Sequence, residues 1–494
     1  MAMIRVKNLT FTYPGSYDPV FEDMTVQFDT GWNLGLVGRN GRGKTTFLRL
    51  LLGEYEYRGC VEVPVPLRYF PYPVQDPALS TAEVLGQVCP KAEDWQLRRE
   101  LSLLEMDAGA LERPFDSLSH GEQTKALLAA LFLNEGEYLL IDEPTNHLDA
   151  AAREQVAQYL RGKQGFLLVC HDRRFLDACV DHILALNREG VELQSGNFSS
   201  WMQNFHRQQQ FEQAQDARLR RELERLGQSA RRTSGWSAQT EKSKFGIQSS
   251  GLKADKGYVG HKAAKMMKQA KVMQARQQRA LEQKAALLKN AERTETLKLS
   301  PLRYHGETLA VCSQVKVFYE GRTVCGPLSF TVRRGQRLAL TGPNGSGKSS
   351  LLALLLGRPV PHTGTVQVGS GLVISHVPQG ISQLHGSLSG YAADRGVEES
   401  LFKAILRKLN FSRTQFDKDL SELSAGQRKQ VLLATSLCEP AHLYVWDEPL
   451  NYLDVYSRMQ VEQLLLEARP TMVFVEHDAV FRERIATQSV ALEP

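Results

Sequence analysis

Two lysines, Lys44 and Lys348, each end a glycine-rich run and precede a hydroxyl residue. GRNGRGKT spans Gly38 to Thr45 and GPNGSGKS spans Gly342 to Ser349. The spacing suits phosphate. Gly38, Gly41 and Gly43, with Asn40 in the same turn, let backbone N–H groups close around the phosphates of ATP where side chains would obstruct. The helix that follows turns its positive end toward the anion. Lys44 brings a point charge to the β- and γ-phosphates, and Thr45, followed by Thr46, brings a Mg²⁺ ligand. Gly342, Asn344, Gly345, Gly347, Lys348, Ser349 and Ser350 take the same parts in the second run.

A paired carboxylate follows each loop: Asp142-Glu143 and Asp447-Glu448, each at the end of an apolar run. The first acid of a pair suits Mg²⁺, and the second would orient and polarise an attacking water. Taken alone, an Asp-Glu pair after a strand reads equally as a helix cap with a first-turn acid. His171 and His477, each after a strand and before Asp, are placed to sense a γ-phosphate. Gln75 and Gln379, each just after a proline, fit a glutamine that senses γ-phosphate and Mg²⁺. LSHGEQ and LSAGQR put Ser119 with Gly121, and Ser424 with Gly426, at a helix N-terminus, a second kind of anion site.

These motifs repeat in order. The phosphate loops are 304 residues apart, the LSxG runs and the Asp-Glu pairs 305, and CHD (Cys170 to Asp172) and EHD (Glu476 to Asp478) 306. The chain is therefore a tandem duplication with a long insert. Short apolar runs such as Leu34–Val37, Leu139–Ile141, Phe166–Val169, Leu338–Leu340, Leu443–Trp446 and Thr471–Val475 have the length of buried strands, and leucine-rich helices follow the phosphate loops, so each half reads as α/β.

The insert has another character. Between His206 and Ser300 there are 21 Lys/Arg and 9 Asp/Glu, a surplus of +12, and the rest of the chain is −7. Heptad-like apolar positions predict two long helices, about 198–234 and 262–297, folding back as an antiparallel hairpin around a tip near 244–261. Leucines and methionines serve its seam. A solvated face is the plain reading of a charge run, but so dense a basic rod, including Arg218, Arg221, Lys265 and Lys268, suits nucleic-acid phosphates. At the tip, Phe245 and Tyr258 offer stacking faces, and Lys244, Lys253 and Lys256 offer phosphate contacts.

Composition narrows the class. The chain has 494 residues, 42% hydrophobic and 23% charged, enough for more than one core, with no stretch long and apolar enough for a membrane span. Its N-terminus has no apolar signal core. The seven cysteines are scattered and never in C-x-x-C spacing, which suits free thiols in a reducing cytosol. A cytoplasmic location is expected.

The order of phosphate loop, glutamine, LSxGx, DEP and histidine resembles ABC ATPases over residues 1–195 and 307–494. The resemblance implies two cassettes facing head to tail within one monomer, each ATP held by one half's phosphate loop and the other half's signature. Site one would join Lys44, Asp142, Glu143 and His171 to Ser424 and Gly426. Site two would join Lys348, Asp447, Glu448 and His477 to Ser119 and Gly121. Mg²⁺ would take Thr45, Gln75 and Asp142, or Ser349, Gln379 and Asp447. An aromatic stacking on adenine would be Tyr13 or Phe11, and Tyr319 or Phe318.

Paired cassettes joined by a basic helical hairpin (residues 196–306 between domains 1–195 and 307–494) look like the ABC-F translation factors. That implies a ribosomal partner, 23S rRNA and P-site tRNA, reached through the E site. DEPTNHLD (Asp142 to Asp149) has that family's usual form, and DEPLNYLD departs from it at Leu450 and Tyr452. Gly43 to Ser119 spans 76 positions and Gly347 to Ser424 spans 77, so the first half carries no extra arm, and the 17 residues after His477 leave no basic tail. With the loop Lys242 to Lys271, these features resemble the Lsa-type resistance branch, which implies protection from lincosamides, pleuromutilins and streptogramin A compounds. The alternatives are a housekeeping ABC-F factor tuning elongation or rescuing stalled ribosomes, and more remotely a transport or DNA-repair ATPase.

Overall fold

The computed structural model describes residues 2–15, 18–146, 148–187, 190–212, 299–319, 321–381, 384–409 and 411–492, with scattered positions between 214 and 279. The chain divides into two units, Met1–Ser199 with Thr294–Pro494, and Ser200–Arg293.

The first unit holds both halves of the duplication. In the first half, β1 (Met3–Phe11), β2 (Phe21–Asp29) and β4 (Arg58–Glu62) form an antiparallel sheet in the order β2-β1-β4. A second sheet runs β5-β6-β7-β3-β8-β9, from β3 (Asn33–Gly38), β5 (Leu67–Phe70), β6 (Tyr138–Asp142), β7 (Phe166–Val169), β8 (His182–Leu186) and β9 (Val191–Ser195). Its pairings are parallel except β8 with β9.

The second half repeats this plan. β10 (Thr308–Tyr319), β11 (Arg322–Arg333) and β13 (His362–Val368) pair antiparallel as β11-β10-β13. β12 (Arg337–Thr341), β14 (Ile374–Val377), β15 (Leu443–Asp447), β16 (Met472–Val475) and β17 (Gln488–Ala491) form a parallel sheet in the order β14-β15-β16-β12-β17. The apolar runs of the sequence fall on these strands. Strands β3, β6, β7, β15 and β16 are buried at every residue, as strands covered on both faces must be.

Strand order does the positioning. Because β3 lies beside β7 and β7 beside β6, the phosphate loop leaving β3 meets Asp142 at the end of β6 and His171 just past β7, all at carboxyl ends. β12, β16 and β15 do the same for Lys348, His477 and Asp447. Helix caps fall on polar motif residues. Ser119 caps His120–Phe132, Ser424 caps Ala425–Cys438, and Asp149 and Asp454 cap Ala150–Arg161 and Val455–Ala468. Asp142 and Glu143 are not caps.

In the second unit, residues 200–212 and the described positions through 225, and again between 261 and 279, are helical. Arg218, Arg221, Lys265 and Lys268 are exposed there. Lys244, Phe245, Lys253, Lys256 and Tyr258 lie outside the described residues. Among the described residues, no helix is long and apolar enough to cross a membrane.

Candidate active site

In the first half the Lys44 ammonium is buried and donates to the carbonyls of Gly38 (2.9 Å) and Arg39 (3.3 Å). Burial pulls its pKa down, while Asp454, Glu143 and Asp142 pull it up. Gly43 has φ +84°, and a Cβ there would lie 2.6 Å from Val20 Cγ1 and 2.8 Å from Phe21 Cζ, so both backbone and space demand glycine. Thr45 Oγ1 donates to Asp142 Oδ2 at 2.8 Å, and the Tyr69 hydroxyl donates to the same oxygen at 3.0 Å.

Glu143 sits in a left-handed backbone conformation, φ +54°, its N–H held by Val169 O at 2.9 Å. Its Oε1 lies 3.0 Å from His171 Nε2. Burial and the neighbouring Asp142 push the Glu143 carboxyl up to about 8, against Lys44, Arg458 and Arg153. Burial, helped by Lys44, holds the His171 imidazole well below its usual range. A carboxyl poised near neutrality beside a neutral imidazole is suited to proton transfer.

The second half repeats the frame with different electrostatics. Lys348 donates to Gly342 O (2.9 Å) and Pro343 O (2.6 Å), and burial pushes the Asp447 carboxyl up against the opposing effect of the Ser349 side chain. Glu448 has φ +47°, its N–H on Val475 O at 3.0 Å. Its Oε1 is 3.3 Å from His477 Nε2, and Asn451 Nδ2 donates to its Oε2 at 2.6 Å. Burial pushes this carboxyl up, but the His477 hydrogen bond and charge, the Gln379 side chain and Lys429 outweigh it and hold the group at about 2.

The halves meet across the first loop. Asn40 N donates to Asp454 Oδ2 at 2.9 Å, Asn40 Nδ2 to Tyr452 O at 2.7 Å, and the Arg39 guanidinium lies 5.3 Å over the Tyr456 ring. The mirrored contact, Asn344 N to Asp149 Oδ2, is longer at 3.4 Å. A cavity of about 1000 Å³ opens between Gly41, Gly43, Lys44, Thr45, Thr46, Asp142, Glu143 and His171 on one side and Ser424, Gly426 and Tyr452 on the other. Tyr13 lines it, its hydroxyl 2.7 Å from Thr46 Oγ1, whereas Phe11 is core. In the second half the exposed Tyr319 meets Ser350 Oγ at 2.9 Å. Ser119 differs from Ser424, since its hydroxyl donates to Glu122 Oε2 at 2.8 Å.

The two glutamines part company. Gln379 O accepts from Lys429 Nζ at 3.4 Å. Gln75, like Gln379, is exposed, and it lies outside the wall of the first cavity. Tyr69 contacts Asp142 instead, and an aromatic inside a strand gave no signal of this. Asp454 and Asp149 were legible only as the ends of their motifs.

For Mg²⁺, Thr45 with Asp142 and Ser349 with Asp447 give hard oxygen donors. Asp447 Oδ1 is buried without a hydrogen-bond partner, an oxygen a cation would satisfy. Among the described residues no group of three or more His, Cys, Asp or Glu gathers, so such an ion would complete its shell from phosphate and water, as Mg²⁺ does. The residues fit.

The family model described as ABC transporter matches residues 21–146 and 325–451, just over half of the chain. The ribosome protection protein VmlR of Bacillus subtilis is 28% identical over 480 residues, covering 96% of this chain and 84% of its own length. The energy-dependent translational throttle protein EttA of Escherichia coli K12 is 27% identical over 525 residues, 95% and 88%. Among solved structures, an archaeal ribosome recycling factor, aABCE1, in complex with the ribosomal stalk protein aP1, matches with TM-score 0.63 at 19% identity, covering 99% of this chain and 87% of that one. That likeness speaks for the fold of two tandem cassettes.

Proposed function

The chain belongs to the ABC transporter family, and on that premise we propose that it is an ABC-F ATPase with two composite ATP sites, which binds the ribosome through its basic insert. The observation that carries the catalytic part is the cavity bounded by the Lys44 loop of one half and Ser424 and Gly426 of the other. ATP enters with its phosphates on the Lys44 loop. Tyr13 offers a face to the adenine, and Ser424 at its helix N-terminus meets the γ-phosphate. Thr45 with Asp142, or Ser349 with Asp447, would hold Mg²⁺, which would supply neutralisation of phosphate charge. Glu143 or Glu448 accepts the proton of the attacking water, with His171 Nε2 3.0 Å from Glu143 Oε1 and His477 Nε2 3.3 Å from Glu448 Oε1.

The ribosomal part rests on relatives named for ribosome protection and translational throttling, and on exposed Arg218, Arg221, Lys265 and Lys268. On this reading the hairpin enters the E site toward the P-site tRNA and the 23S rRNA of the peptidyl transferase centre. It protects translation from lincosamides, pleuromutilins and streptogramin A. The likeness to the throttle protein favours a second reading, a housekeeping factor without a drug role. The test is Glu143→Gln with Glu448→Gln: ATP binding persists, hydrolysis is lost, and the chain accumulates on ribosomes. A double variant hydrolysing ATP at the parental rate removes both residues from the mechanism.

A further inference from the structure

The helices behind the two signature loops match residue for residue from Ser119 and Ser424, which places Thr124 opposite Lys429 in the repeat. Both are buried, Lys429 at 1% exposure. A buried lysine must spend its three N–H groups on acceptors. Lys429 Nζ donates to Pro378 O (2.8 Å), Asp447 O (3.1 Å) and Gln379 O (3.4 Å). Two of these carbonyls belong to the segment that carries Gln379, and the third to the last residue of β15, directly before Glu448. One ammonium thus pins the glutamine segment to the strand end that presents the catalytic carboxylate.

Its surroundings change with it. Cys170, which accepts from Asp172 N and meets Thr145 Oγ1 in the first half (both 3.3 Å), is replaced by Glu476. The buried Glu476 carboxylate takes Leu450 N at 3.1 Å and His477 N at 2.9 Å, and is among the charges that favour the Lys429 cation. Three neutral positions, Thr124, Thr145 and Cys170, thus correspond to Lys429, Leu450 and Glu476. Gln75 and Gln379 are both exposed, and among the described residues only the Pro378–Gln379 carbonyls are tied to a strand end by a buried ammonium.

We propose that Lys429 is a positioning residue of the second site, tying the Pro378–Gln379 segment to the end of β15 so that the backbone carrying Gln379 is fixed beside the strand end that presents Glu448 before ATP arrives. Among the described residues the first site has no such tie, because Thr124 stands where the ammonium would be. The inference rests on the ATPase reading for its consequence in turnover, but not for the tie itself.

The test uses the full-length chain with Glu143→Gln, so that turnover reports the second site, and adds Lys429→Thr, the residue the first half carries there. Steady-state ATP hydrolysis should show kcat reduced at least about tenfold by misplacement of the glutamine, with KM for ATP within about twofold. Hydrogen exchange of the nucleotide-free chain should show faster exchange at residues 379–381. Lys429→Gln, which keeps two N–H donors, should recover part of both, and it replaces the threonine variant if that one does not fold. An unchanged kcat in a chain that hydrolyses ATP overturns the proposal, as does a loss confined to KM. If the Glu143→Gln parent hydrolyses no ATP, it is the ATPase reading that fails, and exchange at 379–381 decides the tie, unchanged exchange overturning it.

Discussion

Arg173 and Glu462 form a buried ion pair across the two cassettes, and the positions that mirror them in the repeat are Ala479 and Ala157. The mirror holds on either side of them. Arg153 donates to Asp172 and to Leu148 O as Arg458 donates to Asp478 and to Leu453 O. Glu462 also takes Arg484 at 2.8 Å, and Arg173 lies 3.8 Å from Asp478. On the mirrored side, Ala157 and Ala479 line a cavity of about 370 Å³. One flank of the interface is clamped by charge and the other is open.

Removing one member of the clamp should be costly. Glu462→Ala leaves the buried Arg173 only Asp478 at 3.8 Å and should cost about 3–5 kcal/mol, read as a lower denaturant midpoint of the nucleotide-free chain. Arg173→Ala leaves Glu462 its partner Arg484 and should cost less. The double variant should cost clearly less than the two singles summed, because it leaves the alanine pair that the other flank tolerates. Strict additivity would show that the pair is not coupled.

The two catalytic glutamates should respond oppositely to neutralisation. Glu143 titrates near 8 in the folded chain against an ordinary 4.5, so the stability it contributes is full below about 4.5 and is lost as pH rises through about 8. Glu143→Gln removes that loss, and its thermal midpoint should climb above the parent's as pH goes from 5 to 8.5. Glu448, held at about 2, contributes stability above its ordinary value and loses it as pH falls through 2. Glu448→Gln should therefore lie below the parent at pH 8. Two variants shifting the same way at pH 8 would contradict the contrast.

Asp454 does two tasks. Its Oδ1 caps a helix through Ser457 N at 2.8 Å and its Oδ2 takes Asn40 N from the other cassette. Asp454→Ala and Asp149→Ala should each lose about 1 kcal/mol of cap. Only Asp454→Ala should also weaken ATP binding at the first site several-fold, since Asn344 stands farther from Asp149. Titration with a fluorescent ATP analogue checks this, and equal affinities for the two variants would count against the cross-cassette bond.

Charge on the insert should govern association with the ribosome. Binding should fall steeply with salt, and reversal of Arg218, Arg221, Lys265 and Lys268 to Glu should abolish co-sedimentation while leaving nucleotide binding intact. Association indifferent to salt would indicate a protein partner.

The tip separates protection from housekeeping. Replacing residues 245–260 with a short Gly-Ser turn should leave basal ATPase activity unchanged and abolish rescue of drug-inhibited translation in a purified system. Rescue equal to the parent's would move the reading to the housekeeping factor.

Much of the catalytic frame was legible because phosphate loops, Asp-Glu pairs and post-strand histidines are local in sequence and are carried by strands whose apolar runs are local too. What depends on distance was not. Lys429 sits in a helix where a lysine reads as a surface charge, and only the approach of Pro378 and Asp447 makes it internal. Gln75 and Gln379 share a context of proline and aromatics, and nothing within either segment reveals that one is pinned and the other is not. The left-handed backbone of Glu143 and Glu448 accompanies N–H bonds to Val169 O and Val475 O on the neighbouring strands, which no single segment contains.

The clamp also decides which halves can recognise each other. Two first cassettes brought face to face would set Arg173 against Ala157 twice, and two second cassettes would set Glu462, left with Arg484 of its own half, against Ala479 twice, so neither like-with-like encounter re-forms the buried pair. Only the unlike encounter answers both. The duplicated halves thus present unlike faces of one repeated surface, so that a first half is matched to a second half and not to another first half.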